Sequence, residues 1–242
     1  MTGDPRPAFY ALRTGGWRDY VTLLHAPYTL WHLSYVVIGA ALAPVWLPGR
    51  LGATLVAFFL ALGIGAHALD ELRGRPLATQ IPDSVLWALA VVSIAAAVAV
   101  GIVAAFAWTP WLFVFVAFGG FIVVAYNLEL LGGRFHSDLW FALAWGALPV
   151  LTAYVAAAET LAWAALAVAG FAAALSHAQR CLSMPVRLVR RSVRDVSGAL
   201  ELDGGPQITV TRETLTRAPE QALRAMTAAT IAIAVALVLV RV

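Results

Sequence analysis

Between residues 21 and 240 the chain alternates apolar runs of about twenty residues with breaks that carry proline, glycine or charge, all but the one at 183–219 short. In hydrocarbon, backbone N–H and C=O groups must be satisfied internally, which only helices and closed barrels achieve, and these runs are too long for barrel strands. Hydrophobic residues make up 62% of the chain and charged residues 12%, about half of the roughly 25% charge of an average soluble domain. Mean hydropathy is +0.83. These features predict an all-α, polytopic membrane helical bundle forming a single integral membrane domain over residues 1–242. They exclude an ordinary water-soluble core.

The pattern predicts seven spans, at residues 21–43, 51–70, 84–107, 110–128, 138–157, 160–182 and 220–240. The third and fourth are nearly continuous, so Thr109-Pro110 must form a tight turn. Arginine sets the orientation. One side collects Arg6, Arg13, Arg18, Arg73, Arg75, Arg134, Arg180, Arg187, Arg190, Arg191, Arg194, Arg212 and Arg217, whereas the other has Arg50 and Arg241. The expectation is a multi-pass protein of the cell membrane, N-terminus cytoplasmic and C-terminus outside. The first apolar run is too long for a secretory signal core, so no signal peptide is expected. The single cysteine, Cys181, excludes a disulfide within the chain. Nothing points to a phosphate-binding glycine loop, a Ser-His-Asp triad or nucleic-acid binding.

Ionisable groups at the edge of hydrocarbon are costly and mark candidate function. His67, Asp70 and Glu71 stand at i, i+3, i+4 and should share one face at the cytoplasmic end of the second span. Carboxylates suit a hard cation such as Mg²⁺, and a histidine beside them admits Zn²⁺, Fe²⁺ or Mn²⁺. The bland alternative is a helix-end cluster paired with Arg73 or Arg75. His25 and His32, with Tyr28 and Tyr35, form a stripe on the first span that either lines a cavity or bonds neighbouring helices. Asn127, Glu129, Arg134, His136 and Asp138 bracket the turn before the fifth span. His177 and Arg180 share a face at i, i+3, and arginine at that depth suggests an anion partner.

The segment 183–219 is read as a cytoplasmic insert. Residues 184–194 alternate apolar side chains with arginines at helical spacing, as in a basic amphipathic helix on an anionic leaflet or a solvated continuation of the sixth span. Two alternating runs around Asp203-Gly204-Gly205 resemble a β-hairpin. Gly119-Gly120 and Gly146 are read as close-packing points, and Pro149 as a kink.

In four places the chain resembles the UbiA-type intramembrane prenyltransferase superfamily, as a divergent, shortened member. These are His25–Trp31 running into Gly39–Leu42; Asp70 followed by Arg75-Pro76-Leu77; Tyr126-Asn127; and Trp145–Val150. Together they cover residues 20–182. The resemblance implies a prenyltransferase acting on an isoprenoid diphosphate at the cytoplasmic leaflet. In that scheme His67, Asp70 and Glu71 are catalytic and hold Mg²⁺. Arg75, Arg180, His177, Tyr28, His32, Tyr126 and Asn127 bind substrate. The departures are specific. Ala66-His67 stand where the first Asp-rich motif begins with Asn-Asp, Gly74 replaces its last Asp, and Ser176–Arg180 occupies the place of the second motif without a carboxylate. The alternatives are a non-catalytic lipid- or quinone-binding membrane scaffold, or a transition-metal enzyme built on His67, Asp70, Glu71, His136 and His177.

Overall fold

The computed structural model describes residues 6–242. In chain order its helices are α1 (Trp17–Leu23), α2 (Ala26–Leu42), α3 (Pro48–Leu72), α4 (Asp83–Ala107), α5 (Leu112–Asn127), α6 (Asp138–Ala158), α7 (Trp163–Arg191) and α8 (Arg212–Arg241). A small antiparallel hairpin between the last two pairs β1 (Ala199–Leu200) with β2 (Ile208–Thr209). The fold is thus a mainly helical bundle.

Four helices, α3, α4, α6 and α8, are long and apolar enough to cross a membrane, and α5 is a shorter apolar helix. Helix α2 has 17 residues, and α7 dilutes its apolar half with Ser176, His177, Gln179 and Arg180. The outer surface is apolar where a soluble protein's would be wet: Phe106 is 80% exposed, Trp163 87% and Val240 82%. Large apolar side chains facing outward all round a bundle are what lipid contact requires.

Helix α2 runs through the bundle, packed on α6, α8 and α3, and buries Trp31 and Tyr35 completely. Trp31 Nε1–H donates to the Tyr35 hydroxyl at 2.5 Å. Two glycines let backbones cross at short range. A Cβ on Gly39 would lie 2.2 Å from the Val150 carbonyl oxygen, and one on Gly146 would lie 2.5 Å from that of Ala172. Gly119 and Gly120 meet only side chains at ordinary distance and line a crevice, so they are not the close-packing points expected of them.

Two helices change pitch beside one another. Residues Phe59–Ala66 of α3 and Ala142–Ala147 of α6 form π-helical turns, a geometry frequent at functional sites. The second precedes Pro149. In an α-helix the N–H of residue 149 would bond the carbonyl of Trp145, but proline has no N–H. That carbonyl is 2.9 Å from His32 Nδ1 instead. The irregularity of α6 therefore holds a histidine of α2.

Residues 184–191 continue α7 through Pro185 as one helix, so the basic segment is no separate surface helix. Arg187 and Arg191 lie one turn apart and face the bundle. At the opposite end Arg50 pairs with Glu159 at 2.8 Å, and Arg241 Nε–H donates to Ala41 O at 2.8 Å.

Candidate functional site

At the arginine-rich end of the bundle is a cavity of about 400 Å³, within the ~300–1,000 Å³ typical of ligand pockets. The segment Pro7–Tyr10, helices α2, α3, α5, α6 and α7 and the α5–α6 connection line it. A narrow apolar crevice of about 100 Å³ runs between α3, α4, α5 and α6. Trp145 belongs to the walls of both.

Histidines form one wall. The His25 and His67 rings stack with centroids 4.1 Å apart. His25 sits in the left-handed region, φ 46°, at the break between α1 and α2, and its Nδ1 is 2.9 Å from the Tyr10 hydroxyl. His67 Nδ1 is 3.1 Å from Gly63 O, and His136 Nδ1 is 3.0 Å from Tyr126 O. A carbonyl only accepts, so Nδ1 carries a proton in His32, His67 and His136. Among the described residues the buried His25 Nε2 and Gln179 Oε1 have no hydrogen-bond partner.

The two acids of the sequence cluster separate. Asp70 lines the cavity, and among the described residues nothing bonds or pairs with its carboxylate. Glu71 points the other way and is fully buried. Its carboxylate accepts from Leu77 N–H at 2.9 Å, Thr79 N–H at 2.9 Å and the Thr79 hydroxyl at 2.8 Å. It is an anchor for the connection 73–82, in which Arg75 and Ala78 adopt positive φ. Arg75 serves the same connection: it donates to Ile81 O at 2.5 Å and pairs with Asp83. Asp19 completes the anchorage by accepting from Gln80 N–H and Gly15 N–H, both at 2.8 Å. Glu71 and Arg75 are therefore not at the cavity, because in a turn of strained φ unpaired backbone N–H groups claim Glu71, and the Ile81 carbonyl and Asp83 claim Arg75.

The arginines divide in the same way. Arg73 pairs with Glu129 at 2.6 Å at the mouth. Arg180 pairs with Asp138, donates to the Tyr126 hydroxyl and lies 5.6 Å from the Phe141 ring centre. Arg187 donates to the Ser183 hydroxyl at 2.8 Å and Arg191 to Pro7 O at 3.4 Å. Among the described residues neither has a carboxylate within 4.0 Å. Burial, and then the charge of Arg187 beside it, lowers the Arg191 guanidinium from its ordinary value. Burial likewise raises the Tyr10 phenol above its usual range, with Tyr28 adding to it.

Of the residues singled out from the sequence, the cavity gathers His67, Asp70, Arg180, Tyr28, His32, Tyr126 and Asn127, together with His25, Arg73, Glu129 and His136. It omits Glu71, Arg75 and His177. His177 is exposed on the outer face of α7, beside Cys181. Sequence reasoning missed Phe9 and Tyr10, which approach from the N-terminal segment, and Gln179. Arg187 and Arg191 were read as surface groups. Their i, i+4 spacing on a helix continuous with the sixth span was the signal available.

Among the described residues no three His, Cys, Asp or Glu side chains are grouped to hold a metal ion. Mg²⁺ takes carboxylate and phosphate oxygens. Among the described residues the cavity offers one carboxylate free of arginine, that of Asp70, since Glu71, Glu129 and Asp138 are engaged elsewhere. That donor set does not fit magnesium bridging between two acidic motifs, and among the described residues the histidines do not converge with a third ligand. Neither a family model, a curated protein nor a solved structure matches the chain.

Proposed function

We propose that the protein is a UbiA-like intramembrane enzyme of seven spans that binds an isoprenoid diphosphate and transfers its prenyl group. Its cavity opens to the cytoplasmic leaflet of the cell membrane, with the N-terminus inside and the C-terminus outside. The reading rests above all on the junction at Trp145. A cavity bearing Arg180, Arg187 and Arg191 adjoins a crevice lined by Phe58, Leu62 and Ile94. A charged head and an apolar tail of one lipid would need this combination.

The residues take distinct roles in such a reaction. The prenyl C–O bond breaks with both electrons leaving on the diphosphate, and the guanidinium groups face that growing charge. The acceptor carbon bonds to the prenyl carbon and releases a proton. The Asp70 carboxylate and the neutral His67 imidazole are the proton acceptors on the cavity wall. His32, Tyr28 and Trp145 shape the space for the reacting end.

The test is to incubate the purified full chain in nanodiscs with a tritiated isoprenoid diphosphate and candidate aromatic acceptors, then measure bound label and extractable product. Saturable binding with release of diphosphate supports the reading, and absence of saturable binding refutes it. The single free carboxylate favours a second reading, a lipid- or quinone-binding protein without turnover. Bound label that is never released as product selects it.

A further inference from the structure

We infer that the cavity holds a phosphate-ester headgroup directly on Arg187 and Arg191, with no divalent cation between. This rests on the isoprenoid phosphate reading for the tail, but the headgroup chemistry follows from the cavity itself.

Charge pairing decides it. Arg73 is matched by Glu129 and Arg180 by Asp138, while Glu220 pairs with Arg190 at 2.5 Å. Glu71 is occupied by the backbone of 77–79. Among the described residues, what remains at the cavity is one carboxylate, Asp70, against two guanidinium groups, Arg187 and Arg191. These lie at i, i+4 on one helix, and like charges at that spacing repel. An anion between them relieves the repulsion, and a guanidinium fork matches phosphate oxygens two at a time. One further group points to a ligand: the buried, unpartnered His25 Nε2 belongs to a residue lining this cavity. In the tautomer in which the Tyr10 hydroxyl donates to His25 Nδ1, Nε2–H is a donor toward an anion.

Asp70 separates this arrangement from a cation-bridged one by sign. If a divalent cation joined Asp70 to phosphate, removing the carboxylate would weaken binding. If phosphate sits on arginine alone, Asp70 repels it, and Asp70→Asn strengthens binding.

The experiment measures equilibrium binding of a tritiated prenyl monophosphate, the matching diphosphate, the prenyl alcohol and inorganic diphosphate to the full chain in phosphatidylcholine nanodiscs, in excess EDTA and in excess Mg²⁺. The expected results are prenyl phosphate affinity within about twofold in the two conditions, and a loss of about 10–100-fold in Arg187→Gln and Arg191→Gln, the size of a charge-assisted bond lost. Asp70→Asn should gain affinity. Arg187→Lys, which keeps the charge without the fork, carries the test with an intermediate loss if Arg187→Gln does not fold. Binding abolished by EDTA, restored by Mg²⁺ and weakened in Asp70→Asn overturns the inference while leaving the isoprenoid reading intact. Unchanged affinity in both arginine variants also overturns it. Inorganic diphosphate binding as tightly as the prenyl esters upholds the headgroup site and defeats the isoprenoid reading. Prenyl alcohol binding as tightly as the phosphates defeats the headgroup site.

Discussion

Replacing Glu71 by glutamine tests whether the second acid of the motif is structural. Its carboxylate accepts three hydrogen bonds, from Leu77 N–H, Thr79 N–H and the Thr79 hydroxyl, at 2.8–2.9 Å, and the side chain is fully buried. Hydrogen bonds to a charged group contribute about 1.5–3 kcal/mol each. Glutamine keeps one acceptor oxygen but turns an NH₂ toward donors on the other side, so a net cost of about 3 kcal/mol follows from losing one bond and leaving a buried donor unmet. For a chain of this length ~2–4 °C accompanies each kcal/mol, giving a fall of about 6–12 °C in apparent Tm. Asp70→Asn removes no hydrogen bond and should stay within about 2 °C of the parent. The assay is thermal unfolding in detergent followed by tryptophan fluorescence, with hydrogen exchange at Leu77 and Thr79 as the local readout. An unchanged Tm in Glu71→Gln beside a large fall in Asp70→Asn would refute the assignment.

Other outcomes follow from the same geometry. Gly39→Ala should destabilise by at least the ~1–3 kcal/mol of overpacking, because its Cβ would stand 2.2 Å from the Val150 carbonyl oxygen; a wild-type Tm would contradict the close crossing of α2 and α6. Pro149→Ala gives the Trp145 carbonyl a backbone donor, so the His32 ring nitrogens should change tautomer balance in ¹⁵N spectra; identical spectra would remove the link between π-turn and histidine. The raised folded-state value of the Tyr10 phenol makes stability full below its ordinary value of 10.0 and lost progressively as pH rises beyond it. Tyr10→Phe should flatten that alkaline decline relative to wild type while lowering stability at neutral pH, since His25 Nδ1 loses its 2.9 Å partner. Equal alkaline slopes in the two proteins would show that Tyr10 does not carry it.

Much of the architecture was legible because membrane cost is written in runs of residues. The apolar runs mark α3, α4, α6 and α8, and the break at Thr109-Pro110 falls between helices, whereas the break read at Pro44–Arg50 runs into the first turn of α3 and that at Arg73–Asp83 ends on the first residue of α4. Strand-like alternation around Gly204 lies where β1 and β2 pair. Site membership was harder to read. Spacing put Asp70 and Glu71 on neighbouring positions of one face, yet which way each carboxylate turns depends on the backbone donors of Leu77 and Thr79, a demand created only when the connection folds back. For the same reason Arg75 looked like a substrate ligand and is instead tied to Ile81 and Asp83. His177 shares a helix with Arg180 but faces outward, because the helix rotation that buries Ser176 and Gln179 carries it to the lipid side. Arg187 and Arg191 were hidden by composition. A basic stretch after a span reads as a membrane-surface helix unless the continuity of α7 through Pro185 is known. The approach of Phe9 and Tyr10 to the cavity is a long-range contact with no local signature.

In the proposed function one lipid spans the arginine-bearing cavity and the apolar crevice across Trp145. Photolabelling with a prenyl phosphate carrying a diazirine on its tail, followed by mass spectrometric mapping, measures this directly. The expected result is phosphate-competable labelling at the crevice residues Phe58, Leu62 and Ile94 and at Trp145, reduced together in the Arg187→Gln, Arg191→Gln double variant. Labelling confined to outward residues such as Val235 and Leu239 of α8, and unaffected by that double variant, would contradict it.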